Sequence, residues 1–298
     1  MRVLVVVNKW WECDPALASM VNDNTRPPDS PWPNPLRPAR PRPELATVPN
    51  ENPVPRAIFP YKNFSAEVWC VSDLLDSFSI AQQSSSQRKE GLLHKIFDFG
   101  PSPDLVVAVG TASTPDPAVN RNGGVVIGTG VFMNNGKPDG SNPDSNLNLP
   151  SFDQLIESSI SPETFRKLAT LDNVSAINRF LPVPLNPSAL PDISIGLGDV
   201  ALGTINVSQS SDYATCDPLT IKAFASLQTK ARAVSLETTH GLIRVQSDSP
   251  FVFVSGIVNR FQQFGVDVVP RLDAQNTVGA HNAGVAVSWM LSSLDEQF

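Results

Sequence analysis

Cysteine, histidine and tyrosine are scarce in this 298-residue chain, with 3, 3 and 2 copies. The cysteines (Cys13, Cys70 and Cys216) are odd in number and widely spaced, which excludes a disulfide framework and a paired-cysteine metal site. Free thiols in a reducing compartment are the simple reading, and a cytoplasmic location is expected from it. The glycosylation-like triplets at Asn63, Asn173 and Asn206 therefore carry little weight. Positive charge is also in deficit, with 22 Lys and Arg against 29 Asp and Glu, a net charge of −7. That balance argues against a nucleic-acid backbone or an anionic membrane surface as partner, since both need a basic face. No apolar run approaches the roughly 20 residues of a membrane-spanning helix. Val3–Val7 is too short for a signal-peptide core and reads as a buried strand. Strong catalytic motifs are missing too: no Walker loop, no paired-histidine zinc motif, no Gly-x-Ser-x-Gly elbow. Gly128-Thr129-Gly130 lies inside a strand-like run and is not a dinucleotide fingerprint. Neither a metal nor a cofactor is expected.

Proline is plentiful, at 28 copies, and eleven of them fall between Pro27 and Pro55. Such a stretch cannot donate to a sheet and prefers extended or polyproline conformations. It reads as an insertion over 24–57, either a surface excursion or a loop that covers a site or clasps a subunit. Six apolar runs look like strands covered on both faces: Val3–Val7, Ala66–Val71, Leu105–Val109, Val125–Val131, Ala233–Leu236 and Phe251–Ile257. Helical spacing is found over Leu74–Phe97, weakened near Ser84–Ser86, and over Phe152–Ile160, Pro162–Leu171 and Leu219–Thr229. A long amphipathic helix is expected over Ala280–Leu294. The alternation predicts one α/β domain spanning 1–298, with a central mixed sheet flanked by helices.

Ligands of open α/β sheets sit where loops at the carboxyl edge converge. Polar residues at predicted strand ends are therefore the candidates. Glu12 follows the first strand. Gly110-Thr111-Ala112-Ser113 follows the third, and its small residues let backbone amides approach a ligand. Glu237 closes Ala233–Leu236, and Asn259 follows Phe251–Ile257.

Several of these segments together resemble the nucleoside phosphorylase–nucleosidase superfamily, which includes purine nucleoside phosphorylases and methylthioadenosine/S-adenosylhomocysteine nucleosidases. Val234-Ser235-Leu236-Glu237-Thr238-Thr239-His240 looks like that family's strand-end glutamate before a helix. Val254-Ser255-Gly256-Ile257-Val258-Asn259 is similar to its strand ending in an acidic or amide residue. Gly203–Ser208 with Asp212-Tyr213 resembles the segment that ends in an aromatic over the base, and Asp104–Ser113 the strand and small-residue turn near ribose and phosphate. The order and rough spacing hold across most of the chain, with the proline-rich insertion outside the resemblance.

The resemblance implies a nucleoside ligand and a role for each matching residue. Glu237 would accept hydrogen bonds from both vicinal ribose hydroxyls; the alternative is a glutamate favoured at a helix N-terminus. Leu236 would pack on the sugar, Thr111, Ala112 and Ser113 would lie beside it, and Tyr213 would stack on the base or sit at the edge of the core. Glu12 would activate water, unless it is a solvated loop residue. Phosphorolysis would need phosphate as co-substrate and an arginine to bind it. Ala108 and Val109 stand where the bacterial phosphorylases carry one, leaving Arg26, Arg121 and Arg260 as the candidates. Asn259 stands where the hydrolases have an aspartate that donates to purine N7, and an amide cannot deliver that proton. Hydrolysis of a purine nucleoside is the leading expectation, with phosphorolysis or nucleoside binding without chemistry as alternatives. A homo-oligomer, dimer or higher, is implied. His94, His240 and His281 read as structural, His240 as a helix-surface or capping residue. Trp10 and Trp11 read as a pocket wall or as packed bulk.

Overall fold

The six apolar runs read as strands all form strand, with Val125–Val131 divided between two and Val71 falling in a 3-10 turn. The structure, a computed structural model, describes residues 1–27, 54–74, 85–134, 155–156, 193–195, 201–207, 231–269 and 274–295. Its strands are β1 (Arg2–Val7), β2 (Ala57–Pro60), β3 (Ser65–Cys70), β4 (Leu105–Thr114), β5 (Val125–Gly128), β6 (Gly130–Asn134), β7 (Leu155–Ile156), β8 (Ile193–Ile195), β9 (Ala201–Val207), β10 (Ala231–Glu237) and β11 (Phe251–Arg260). Its helices are α1 (Trp10–Val21), α2 (Ser85–Phe97), α3 (His240–Arg244), α4 (Phe264–Asp267) and α5 (Ala274–Asp295), with a 3-10 turn at Val71–Leu74.

Side chains alternate across a strand, and β1 shows why its run is apolar without a break. Val3, Val5 and Val7 pack with Cys13, Leu17 and Met20 of α1 and with the α5 face from Ala283 to Leu294. Leu4 and Val6 point the other way, towards Trp69 and towards Leu92, Leu93 and Ile96 of α2. The sheet is the middle layer of three.

All eleven strands belong to one mixed sheet. β1 runs parallel to β3 and β4, and β4 runs parallel to β11 along nearly its whole length. Beyond Val109, where β1 ends, the far end of β4 meets β10 antiparallel at Ser113 and Leu236. β11 continues to β5, while β10 continues to β9 and then β6. Because β5 passes through Thr129 directly into β6, these pairings close a ring: β4, β11, β5, β6, β9, β10 and back to β4. The Thr129 amide donates to the Leu202 carbonyl at 3.1 Å, tying the corner. The mixed α/β domain with helices on both faces is the architecture expected from sequence.

Four readings need correction. Gly110–Ser113 is not a turn but the continuation of β4, paired to β11 by Ser255 through Asn259. Val125–Val131 is two strands, because the chain leaves one pairing partner for another at Thr129. Leu155 and Ile156, expected within a helix, pair antiparallel with Phe132 and Val131; a short apolar run fits either structure, and a partner strand decides. The last helix begins at Ala274 and is buried nearly all round, between α1 and β11, so it is not amphipathic. Of the helix read over Leu74–Phe97, Leu74 falls in the 3-10 turn and Ser85–Phe97 forms α2, while residues 75–84 lie outside the described residues. Residues 28–53 of the proline-rich stretch, Tyr213, Cys216, and the segments Pro162–Leu171 and Leu219–Thr229 lie outside the described residues.

Candidate active site

Glu12 sits in the first turn of α1, 5% exposed, where a helix end offers unpaired amides. Its Oε2 accepts the Lys9 amide at 3.1 Å. Its Oε1 accepts both the backbone N–H of Thr111, at 2.8 Å, and the Thr111 hydroxyl, at 2.7 Å. So the carboxylate is neither loop nor solvated; it is pinned between α1 and β4. Burial pushes its pKa up, opposed by the Thr111 and Lys9 hydrogen bonds and by nearby His240. A buried carboxylate with raised proton affinity suits a general base for water.

Glu237, the last residue of β10, is equally buried. Its Oε2 accepts the amides of Thr239 and His240, the latter at 2.7 Å. These are the orphan donors at the start of α3, so the helix-start reading of this glutamate is correct as far as it goes. It does not account for the other oxygen. Oε1 is buried and has no hydrogen-bond partner among the described residues. Such an atom is expensive to leave unpaired in a native fold, and ligand hydroxyls are one way to satisfy it. Burial raises the pKa of Glu237 to about 7, against the two amides and the charge of Lys89. Lys89, from α2, donates to the Thr238 carbonyl at 2.8 Å and so braces the same corner.

Both carboxylates line one cleft of about 640 Å³, within the range of small-molecule sites. Thr111, Ala112, Leu236 and Asn259 line it as well. Six of the eight residues singled out in the sequence therefore meet at one place. Ser113 does not line the cleft: it is fully buried, paired with Leu236 across β4 and β10. Tyr213 lies outside the described residues. Asn259 is inside β11 rather than after it, at an irregularity in the pairing with β4 that follows Ile257. A bulge of this kind re-aims a side chain. Its Nδ2 donates to the Arg260 carbonyl at 2.8 Å.

Sequence reasoning missed part of the lining. Asn8 and Lys9 directly follow β1, so the strand-end rule that selected Glu12 could have found them. Trp11 does wall the cleft. Gln262, Phe264 and Gly265 come from the turn after β11 and the short helix α4, and Asn276 from the start of α5. Nothing in the local sequence marks them; packing brings them there. Gln262 has a left-handed backbone (φ 57°), which reverses the chain out of β11 towards α4.

His240 also requires correction. It is 2% exposed, not on a helix surface, and burial lowers its pKa to about 4, so the ring is neutral at physiological pH.

None of the arginines considered for phosphate lines the cleft. Arg26 pairs with Asp23 at 2.7 Å, and Arg260 with Asp267 at 2.9 Å. Among the described residues, Lys9 is the only cation in the lining. No helix among them is long and apolar enough to cross a membrane.

No protein-family model matches the chain, and no curated protein matches it in sequence. Solved structures do match over nearly the full length. The Campylobacter jejuni 5′-methylthioadenosine/S-adenosylhomocysteine nucleosidase superposes with a TM-score of 0.55 at 11% identity, covering 99% of each chain. This chain has the nucleosidase fold. Futalosine hydrolase of Helicobacter pylori shares it, with a TM-score of 0.53 at 10% identity over 98% of this chain and 97% of that one. So does a Helicobacter pylori nucleosidase carrying an aspartate-to-asparagine substitution, with 5′-methylthioadenosine in its active site. Its TM-score is 0.51 at 12% identity, over 99% of this chain and 98% of that one. The nucleosidase fold agrees with the fold that the strand-end motifs implied.

Proposed function

We propose that the protein is a nucleoside N-ribohydrolase that cleaves the N-glycosidic bond of purine nucleosides with water. One observation carries this reading: two buried carboxylates, Glu12 and Glu237, face one cleft, and one of them keeps an unpaired oxygen. Glu237 Oε1 is free to accept ribose hydroxyls while its Oε2 stays anchored on backbone amides. Glu12 takes the proton from water as the oxygen attacks the anomeric carbon. Leu236 packs on the sugar. The transition state is an oxocarbenium-like sugar, whose developing positive charge both carboxylates stabilise. Asn259 contacts the base by hydrogen bonding without delivering a proton. The purine therefore leaves with the electron pair of the broken C–N bond, as an anion, and takes its proton from solvent.

The resemblance to solved nucleosidases in fold supports the choice of reaction, and the scarcity of cations in the lining favours water over phosphate as nucleophile. The test is free-base release from a panel of purine nucleosides, with and without phosphate, read by chromatography. Release without phosphate is expected, falling by at least about 10²-fold in Glu12→Gln. Strict dependence on phosphate would overturn the hydrolase reading.

A second reading is favoured by Asn259 itself. Hydrolases of this fold were expected to carry an aspartate there, and a Helicobacter pylori nucleosidase with an aspartate-to-asparagine substitution holds 5′-methylthioadenosine in its active site. On that reading the protein binds a nucleoside and leaves it intact. Binding by calorimetry, with no base released over hours, is the outcome it requires. In either case the working unit is proposed to be a homo-oligomer in the cytoplasm, needing no cofactor.

A further inference from the structure

β11 runs out into a tight turn whose third residue is an unusual choice for its backbone. The Gln263 amide donates to the Arg260 carbonyl at 2.9 Å, closing a four-residue turn over 260–263. Gln262 takes the left-handed conformation there, φ 57°, and is the one described residue other than glycine to do so. Such a position calls for glycine or asparagine, because a Cβ is crowded in that conformation. The rest of the turn is firmly held. The Phe261 amide donates to the Thr114 carbonyl at 2.9 Å, and the Phe261 ring is buried. Arg260 gives its amide to Asp267 at 2.9 Å and its guanidinium at 2.9 and 3.1 Å. The Gln262 side chain, by contrast, is exposed at the cleft and has no hydrogen-bond partner among the described residues. Glycine would make the same turn without the steric cost. A glutamine kept at that cost has a task for its side chain, and strain of this kind gathers at ligand sites.

The place of the turn says which task. The Arg260 carbonyl that closes it also accepts Asn259 Nδ2, at 2.8 Å. One oxygen thus fixes both the turn and the asparagine assigned to the base. We propose that Gln262 is a base-binding residue, its carboxamide meeting the polar edge of the purine beside Asn259. This rests on the reading of the cleft as a nucleoside site. A carboxamide carries a donor and an acceptor side by side, which matches adjoining polar atoms of a purine. Asn8, Asn259, Gln262 and Asn276 all line the cleft, against two carboxylates and one lysine. Neutral groups of that kind suit an uncharged heterocycle. Because the Gln262 carboxamide is hydrated until the base arrives, its contact is worth a modest factor in affinity.

The experiment measures binding of free adenine and free hypoxanthine by calorimetry, in the parent and in two variants. Neither base can be cleaved, so the readout stands apart from turnover. Gln262→Gly removes the carboxamide and suits the turn; Gln262→Ala removes it and keeps a Cβ. Both are expected to bind the preferred base about 5- to 10-fold more weakly than the parent. Gln262→Gly should meanwhile melt no lower than the parent, since glycine relieves the left-handed backbone. Parental affinity in Gln262→Ala would assign the residue to the turn alone and overturn the proposal. A clearly lower melting temperature in Gln262→Gly would make the side chain a support of the fold and overturn it too. So would a parent that binds neither base. Base release that persists with base affinity unchanged in both variants would strike this inference and leave the hydrolase reading standing. Weakened base binding in a protein that releases no base would sustain the role of Gln262 and sink the hydrolase reading instead.

Discussion

At the residue scale, the departure at position 259 carries the most chemical information. An asparagine whose Nδ2 is committed to the Arg260 carbonyl at 2.8 Å can orient a base but cannot protonate it. An aspartate there would face that carbonyl. Such a neighbour favours the protonated acid, since only the acid can donate to it. Asn259→Asp is therefore expected to raise the rate of base release by about 10²-fold, the low end of the range for general-acid help. Single-turnover base release, measured by rapid quench, checks this. A drop in rate would show that the amide itself makes the productive contact.

The other single residues were legible to different degrees. Glu12, Leu236, Glu237 and Asn259 could be found because each stands at or near the end of an apolar run. Thr111 and Ala112 were found for a partly wrong reason. They were expected to form a turn, yet they reach the cleft from within β4, and Thr111 acts by holding Glu12 rather than by presenting its own amide to a ligand. His240 was misread because nothing in its local sequence says that α3 is buried.

Among the elements, α5 and β11 decide the geometry of the cleft. β11 carries Asn259, and α5 begins at Ala274, beside the cleft-lining Asn276. They approach through glycines: a Cβ on Gly256 would meet the Gly279 carbonyl oxygen at 1.9 Å and its carbon at 2.4 Å. Both contacts are backbone and cannot rotate away. Gly256→Ala must therefore push α5 off the sheet, and overpacking of this kind costs about 1–3 kcal/mol, occasionally more. Urea unfolding should show a lower midpoint with an unchanged slope. Turnover should fall with it, since Asn276 and Asn259 separate. A variant as stable as the parent would mean that the helix and strand do not meet this closely.

For the molecule as a whole, the site is a burden on stability, and pH exposes it. A carboxyl with a folded-state pKa near 7 and an ordinary value of 4.5 when unfolded binds more protons in the folded state between those limits. Stability is therefore lost as pH rises through that window, and the penalty is complete above it. Its size for Glu237 is about 3 kcal/mol. His240 acts with the opposite sign. Its pKa falls to about 4 from an ordinary 6.5, so stability is lost as pH falls from 6.5 through 4. The two groups together place the optimum in the mildly acidic range. Glu237→Gln should melt several degrees higher than the parent at pH 8 and at nearly the same temperature at pH 4.5. Thermal scans at the two values check this, and equal offsets at both would exclude titration of Glu237 as the cause.

The local sequence determined the strands, because a run such as Val3–Val7 must be covered on both faces, and two layers of helices follow from that. It also determined which chemistry was available, since a few buried acids and amides at strand ends were the only candidates left once metals, nucleophile motifs and phosphate loops were absent. Tertiary structure decided the rest. The ring closed by β5 and β6, the cleft residues from α4 and α5, and the hold of Thr111 on Glu12 all depend on partners distant in sequence. Local pattern reports whether a side chain is buried, whereas pairing over long range selects what it is buried against.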